Sequence, residues 1–144
     1  MSARLGAVDD AAVTRYCEAS IAKDIDGLLD TLGPDAELVS PLSGRMVFRG
    51  RDDLRVLLGT VYRALNDWRW GQQAGEGDTR FVIGRGRVAG LPLDDAMVFE
   101  LGDDGRIRRV RPHLRPWLGT TLFALILGAK MAHHPGVIRR ALRG

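Results

Sequence analysis

The chain has a single cysteine, Cys17, so no internal disulfide can form and the fold must rest on its core. Its 144 residues and 15.8 kDa make one domain of ordinary size, large enough to need neither a disulfide nor a structural metal. The cationic start, apolar stretch and small-residue cleavage site of a secretory leader are missing, and with the lone thiol this points to a reducing, cytoplasmic setting. A run that could span a bilayer is missing too. Trp117 to Ala129 (WLGTTLFALILGA) holds no charge in 13 residues, against the roughly 20 a span requires.

Acidic residues are absent from Arg106 onward. That stretch carries 9 basic residues, leaving 12 basic and 18 acidic before it, so a body of −6 precedes a tail of +9. The tail's cations are not interleaved with aromatics in a nucleic-acid-binding pattern, so no nucleic-acid partner is expected. An acidic body, this chain's own or a twin subunit's, is the preferred complement. Attachment to an anionic membrane surface is the weaker reading.

Apolar spacing sets the elements. A first helix opens at Asp9 or Asp10, whose carboxylate can cap it, with Val13, Tyr16, Cys17 and Ile21 on one stripe. A short second helix carries Ile25, Leu28, Leu29 and Leu32 to a Gly33-Pro34 stop. Ala36 to Ser40 is a strand with Leu38 and Ser40 on one face, and Ser43-Gly44 turns into Met46 to Phe48. A third helix follows Gly50, with Asp52 and Asp53 in its first turn and Leu54, Leu57, Leu58, Val61 and Leu65 in helical period. From Asn66 the period becomes two, and antiparallel strands are expected at Asp67 to Ala74, Thr79 to Val88, Asp95 to Leu101 and Ile107 to Leu114. In the last of these Val110, Pro112 and Leu114 share one side, with Ile107, Arg109, Arg111 and His113 on the other. Pro116 opens a final apolar helix that must be covered on nearly every side.

Several candidate motifs fail on spacing. Gly84, Gly86 and Gly90 end a strand instead of opening a helix, which excludes a dinucleotide fingerprint. His133 and His134 are adjacent and diverge on a helix, so no metal site is expected. Cys17 has no histidine nearby and reads as a small core residue. Asp94 and Asp95 read as solvated turn carboxylates and His113 as a surface or interface histidine, with a general-acid role open to any of them only if it faces inward.

The segments RYCEA (Arg15 to Ala19), KDIDGLLDTLGPDAELVSP (Lys23 to Pro41), FRGRDDL (Phe48 to Leu54) and FELGDDGRIRRVRP (Phe99 to Pro112) carry a resemblance to the nuclear transport factor 2-like superfamily. This is the cystatin-like cone shared by SnoaL-like polyketide cyclases and ketosteroid isomerases. The resemblance implies an α+β domain over residues 1–116, a curved antiparallel sheet wrapped around the N-terminal helices. Residues 117–144 form an added helical extension, packed on the domain or at a dimer interface.

It further implies a homodimer whose internal pocket holds a small hydrophobic molecule, with no cofactor. Tyr16 looks like the tyrosine that donates to the substrate oxygen in ketosteroid isomerases. The positions matching that family's two carboxylates are Ser40 and Met97, so its mechanism is not expected here. The expected pocket residues are Leu38, Ser40, Trp68, Met97, Phe99, Val110, Pro112 and Leu114 beside Tyr16. The expected function is an isomerase or cyclase with Tyr16 as donor. Its rival is a non-catalytic binding or dimerisation module whose cavity is filled by side chains or by the last helix.

Overall fold

A computed structural model describes residues 10–143. Asp9, one of the two expected helix caps, lies outside them. The elements run α1 (Ala11–Ala22), α2 (Ile25–Asp30), β1 (Leu32–Val39), β2 (Val47–Arg49), α3 (Arg51–Ala64), β3 (Leu65–Glu76), β4 (Thr79–Val88), β5 (Leu91–Leu101), β6 (Ile107–Arg111), β7 (Leu114–Arg115), α4 (Trp117–Met131) and α5 (Pro135–Arg143). This is the α+β cone the sequence implied.

The sheet is open and curved, ordered β2-β1-β6-β5-β4-β3, with β7 pairing the start of β5. Its pairings are antiparallel except that β1 and β6 run parallel. The concave face buries Leu38, Val82, Leu93, Met97, Phe99, Ile107 and Val110 against Val13 and Tyr16 of α1, Leu28 and Leu29 of α2, and Leu54, Leu57, Leu58 and Tyr62 of α3. Removing that apolar area from water is the main stabilising term.

Local chemistry explains where elements stop. Asp24 caps α2 by accepting from the Gly27 N–H at 3.0 Å. The helix then ends at Asp30, two residues before Leu32, which is already in β1 opposite Ile107, so the expected Gly33-Pro34 stop lies inside that strand. Thr31 makes this early stop by turning its hydroxyl back to the Leu28 carbonyl at 2.7 Å. Asp10 does not cap α1 with its side chain. Its carboxylate instead receives the buried Arg80 guanidinium, which also donates to the Gly77 and Thr79 carbonyls.

Two strands depart from the expected alternation. β5 begins four residues earlier than Asp95, because Ala89 (φ 47°) and Gly90 (φ 88°) form a two-residue turn that pairs Leu91 directly with Val88. In β6 a bulge lets Leu101 oppose Ile107 while Glu100 opposes Arg109. That extra residue turns Ile107 inward alongside Val110, correcting its expected outward placement. Gly84 and Gly86 lie within β4, where the missing side chains leave room for the Trp68 indole.

The extension folds back on the cone. α4 packs against α3, β4, β5 and β7. Its Gly119 passes so close to the Pro92 carbonyl that a β-carbon there would collide with it. α5 is tied down by Arg140, whose Nε and Nη2 donate to both oxygens of Asp53 in the first turn of α3 at 2.9 and 2.8 Å. Other tail cations also meet acids of the body: Arg108 and Arg111 reach Glu100 at 3.2 Å, and Arg109 reaches Glu37 at 3.3 Å. Among the described residues no helix is long and apolar enough to cross a membrane.

Candidate functional site

Between the concave sheet, α3 and the C-terminal helices lies a cavity of about 430 Å³. Its wall is almost wholly apolar. α4 forms one side through Phe123, Ala124 and Leu127, and α5 adds Ile138, so the extension encloses the space without filling it.

Besides Ser40 at the turn after β1, three polar groups from the elements themselves break that wall. α1 brings Tyr16, α3 brings Tyr62 and β5 brings Asp95. The two phenol oxygens lie 2.9 Å apart and share a hydrogen bond, and the Tyr16 ring stands edge-on to Phe99 with centroids 5.0 Å apart. Both rings are buried and both line the cavity. Burial holds both hydroxyls protonated well beyond neutral pH, and the nearby Asp95 charge acts in the same direction.

Asp95 is 5% exposed. One oxygen accepts the His113 backbone N–H at 3.0 Å, and among the described residues no group donates to the other. Burial pushes its pKa from the usual carboxylate range up to about 7, against the smaller opposing effect of that single donor. At neutral pH this carboxyl therefore exists in both protonation states, which suits it to give or take a proton. It is not the solvated turn residue its neighbours in sequence suggest. It shares the inward face with Leu93, Met97 and Phe99, and the early start of β5 sets it inside the strand instead of at its mouth, whereas Asp94 points outward, 4.0 Å from Arg85.

Tyr16, Leu38, Ser40, Trp68, Met97, Pro112 and Leu114 line the cavity. Phe99 and Val110 do not. They are buried in the core instead, Phe99 packing against Tyr16. The Ser40 hydroxyl accepts from the Leu42 and Ser43 N–H groups at 3.1 and 3.3 Å, so it braces the turn after β1. Trp70 donates to the Ser20 hydroxyl at 2.8 Å. His113 is exposed, and Cys17 sits half-buried with its thiol pushed up to about 12, far from a reactive thiolate at neutral pH. No cluster of three or more metal-ligating side chains occurs among the described residues.

A family model described as a SnoaL-like domain matches residues 13–110. The structure is similar to that of an uncharacterized protein with a cystatin-like fold from Silicibacter pomeroyi DSS-3, with a TM-score of 0.85, 19% identity, and coverage of 93% of this chain and 96% of that one. A steroid delta-isomerase from Pseudomonas aeruginosa gives a TM-score of 0.81 at 24% identity, over 94% of this chain and 99% of that one. A putative polyketide cyclase from Sinorhizobium meliloti gives 0.61 at 24% identity, over 72% and 94%. Matches over more than nine-tenths of the chain must reach into residues 117–144, so the first two share at least part of the extension. At these identities the likeness concerns fold. No curated protein matches the sequence significantly.

Proposed function

Because the chain belongs to the SnoaL-like domain family, we propose that its cavity takes a small hydrophobic molecule bearing a carbonyl or comparable oxygen, and that Asp95 moves a proton on it in an isomerase- or cyclase-type reaction. The observation carrying this reading is a buried carboxyl with a pKa of about 7 in an apolar cavity that also holds a hydrogen-bonded phenol pair. The cavity volume falls in the range of small-molecule sites.

In this reading Asp95, as carboxylate, takes a proton from the carbon next to the carbonyl. The electron pair moves onto the carbonyl oxygen, which accepts a hydrogen bond from the phenol pair, one hydroxyl donating to it while the other holds that hydroxyl through the shared bond. Asp95 then returns the proton to another carbon, which completes an isomerisation. In its protonated form it could instead hand the proton to an oxygen as a ring closes. The apolar lining excludes water and favours uncharged ligands.

A binding module without chemistry is the second reading. It draws support from Ser40, which occupies the position matching the isomerase base and carries no carboxylate. A panel of steroid-like and polyketide-like ketones tested by thermal denaturation separates these cases, since a ligand held only by the folded chain raises Tm. Conversion of a stabilising compound by the parent protein but not by Asp95→Asn supports the enzyme. Stabilisation without conversion leaves the module, and no stabilisation by any compound removes the ligand class.

A further inference from the structure

The outward side of α4 is apolar where a helix facing water would be polar. Trp117, Leu118 and Leu125 are 74%, 55% and 66% exposed. Leu118, Thr121, Leu125, Gly128 and Ala132 recur at i, i+3, i+7, i+10 and i+14, so they form one stripe with a single hydroxyl and no charge. Gly128 and Ala132 at its end are exposed and also line the cavity, as do exposed Pro41 and Leu42 across from them. Residues that meet both solvent and cavity mark its mouth. The stripe therefore runs along the surface directly into the opening.

The charge carried by α4 and α5 themselves is of one sign. No acidic residue follows Asp104. Arg140 is held by Asp53, but exposed Lys130, Arg139 and Arg143 make no ion pair among the described residues. A second copy seated on this face through the same surface would bring like charges together with no acid from either tail to offset them. An anionic bilayer offers the complement, apolar chains for the stripe and headgroup charge for the cations. At 15 residues α4 is about 22 Å long, too short to span the roughly 30 Å hydrocarbon core but suited to lying along its boundary.

We propose that α4 and α5 form a docking surface for an anionic lipid bilayer, which turns the cavity mouth toward the acyl region so that a hydrophobic ligand can enter from the lipid. Docking of this surface does not depend on what the cavity does with a ligand.

The full chain is floated with vesicles of phosphatidylcholine alone or with about 30% phosphatidylserine, at about 0.05 M and 0.5 M salt, where screening lengths differ severalfold. Binding is expected to the anionic vesicles at low salt, with a blue shift of Trp117 emission, and to weaken at high salt. Arg139→Glu and Arg143→Glu each weaken it by about fivefold or more, as expected for cations near a charged surface. Leu125→Glu, at a site exposed enough to leave folding intact by circular dichroism, weakens it at least as much. Absence of binding to anionic vesicles at low salt overturns the proposal, as does undiminished binding by Leu125→Glu. A dimer that Leu125→Glu converts to monomer, without vesicle binding by the parent, assigns the face to a second copy and also overturns it.

Discussion

Replacing Asp95 with asparagine should make the protein more stable above neutral pH while removing its proton-transfer group. The unfolded chain releases the Asp95 proton near 3.8, whereas the folded chain holds it until about 7. Between those values the folded state binds more protons than the unfolded one, so this group's contribution to stability falls as pH rises. The loss is complete above pH 7. At about 1.36 kcal/mol per pH unit it comes to ~4 kcal/mol, a large share of a small domain's stability. Asparagine keeps an oxygen to accept the His113 N–H but carries no charge to desolvate. Urea denaturation of both proteins from pH 4 to 8.5 reads the effect. Asp95→Asn should match or trail the parent at pH 4 and exceed it by a few kcal/mol at pH 8.5, with the gap opening between pH 4 and 7. Equal stability at pH 8.5, or a gap that does not change with pH, would show that burial does not hold the Asp95 proton.

Tyr62→Phe leaves the Tyr16 hydroxyl buried without its partner and should cost about 1–3 kcal/mol in denaturation, with much of the loss recovered when Tyr16→Phe is added. Gly119→Ala drives a β-carbon into the Pro92 carbonyl and should lower stability by about 1–3 kcal/mol or undock α4, seen as faster amide exchange along that helix. Arg140→Gln breaks both bonds to Asp53, so amide exchange in α5 should accelerate while α1 and the sheet centre stay protected.

The fold was legible because its signals are periodic and local. The apolar stripe of α3 and the two-residue alternation from β3 onward each constrain one element, and together they match one architecture, whereas the Gly33-Pro34 stop fell inside β1. The site was less legible, for reasons specific to each residue. Asp95 follows another aspartate near a turn, which favours a solvated reading. Yet within the expected strand from Asp95 to Leu101 it already has the parity of Met97 and Phe99, and the close hairpin at Ala89-Gly90 places it inside β5 instead of at the strand's mouth. That parity was the available signal. Tyr62 stands one turn beyond Leu58 on the buried side of α3, where it reads as packing until the 2.9 Å bond to Tyr16 makes it polar machinery. Ile107 was misplaced because a bulge carries no mark in one sequence. How α4 and α5 close over the cavity depends on contacts between elements far apart in the chain, such as Arg140 with Asp53, and composition cannot encode these.

The central claim, that Asp95 exchanges protons with a carbon of a ligand held in the cavity, is tested most directly by isotope exchange. A cyclic ketone that raises Tm is incubated with the protein in deuterated water, and deuterium entering the carbon beside the carbonyl is followed by NMR across pH. The account predicts exchange whose pH profile turns near 7 and which drops by roughly 100-fold or more in Asp95→Asn, the scale of a lost general base. Exchange no faster than in buffer, or equal in the two proteins, would contradict it.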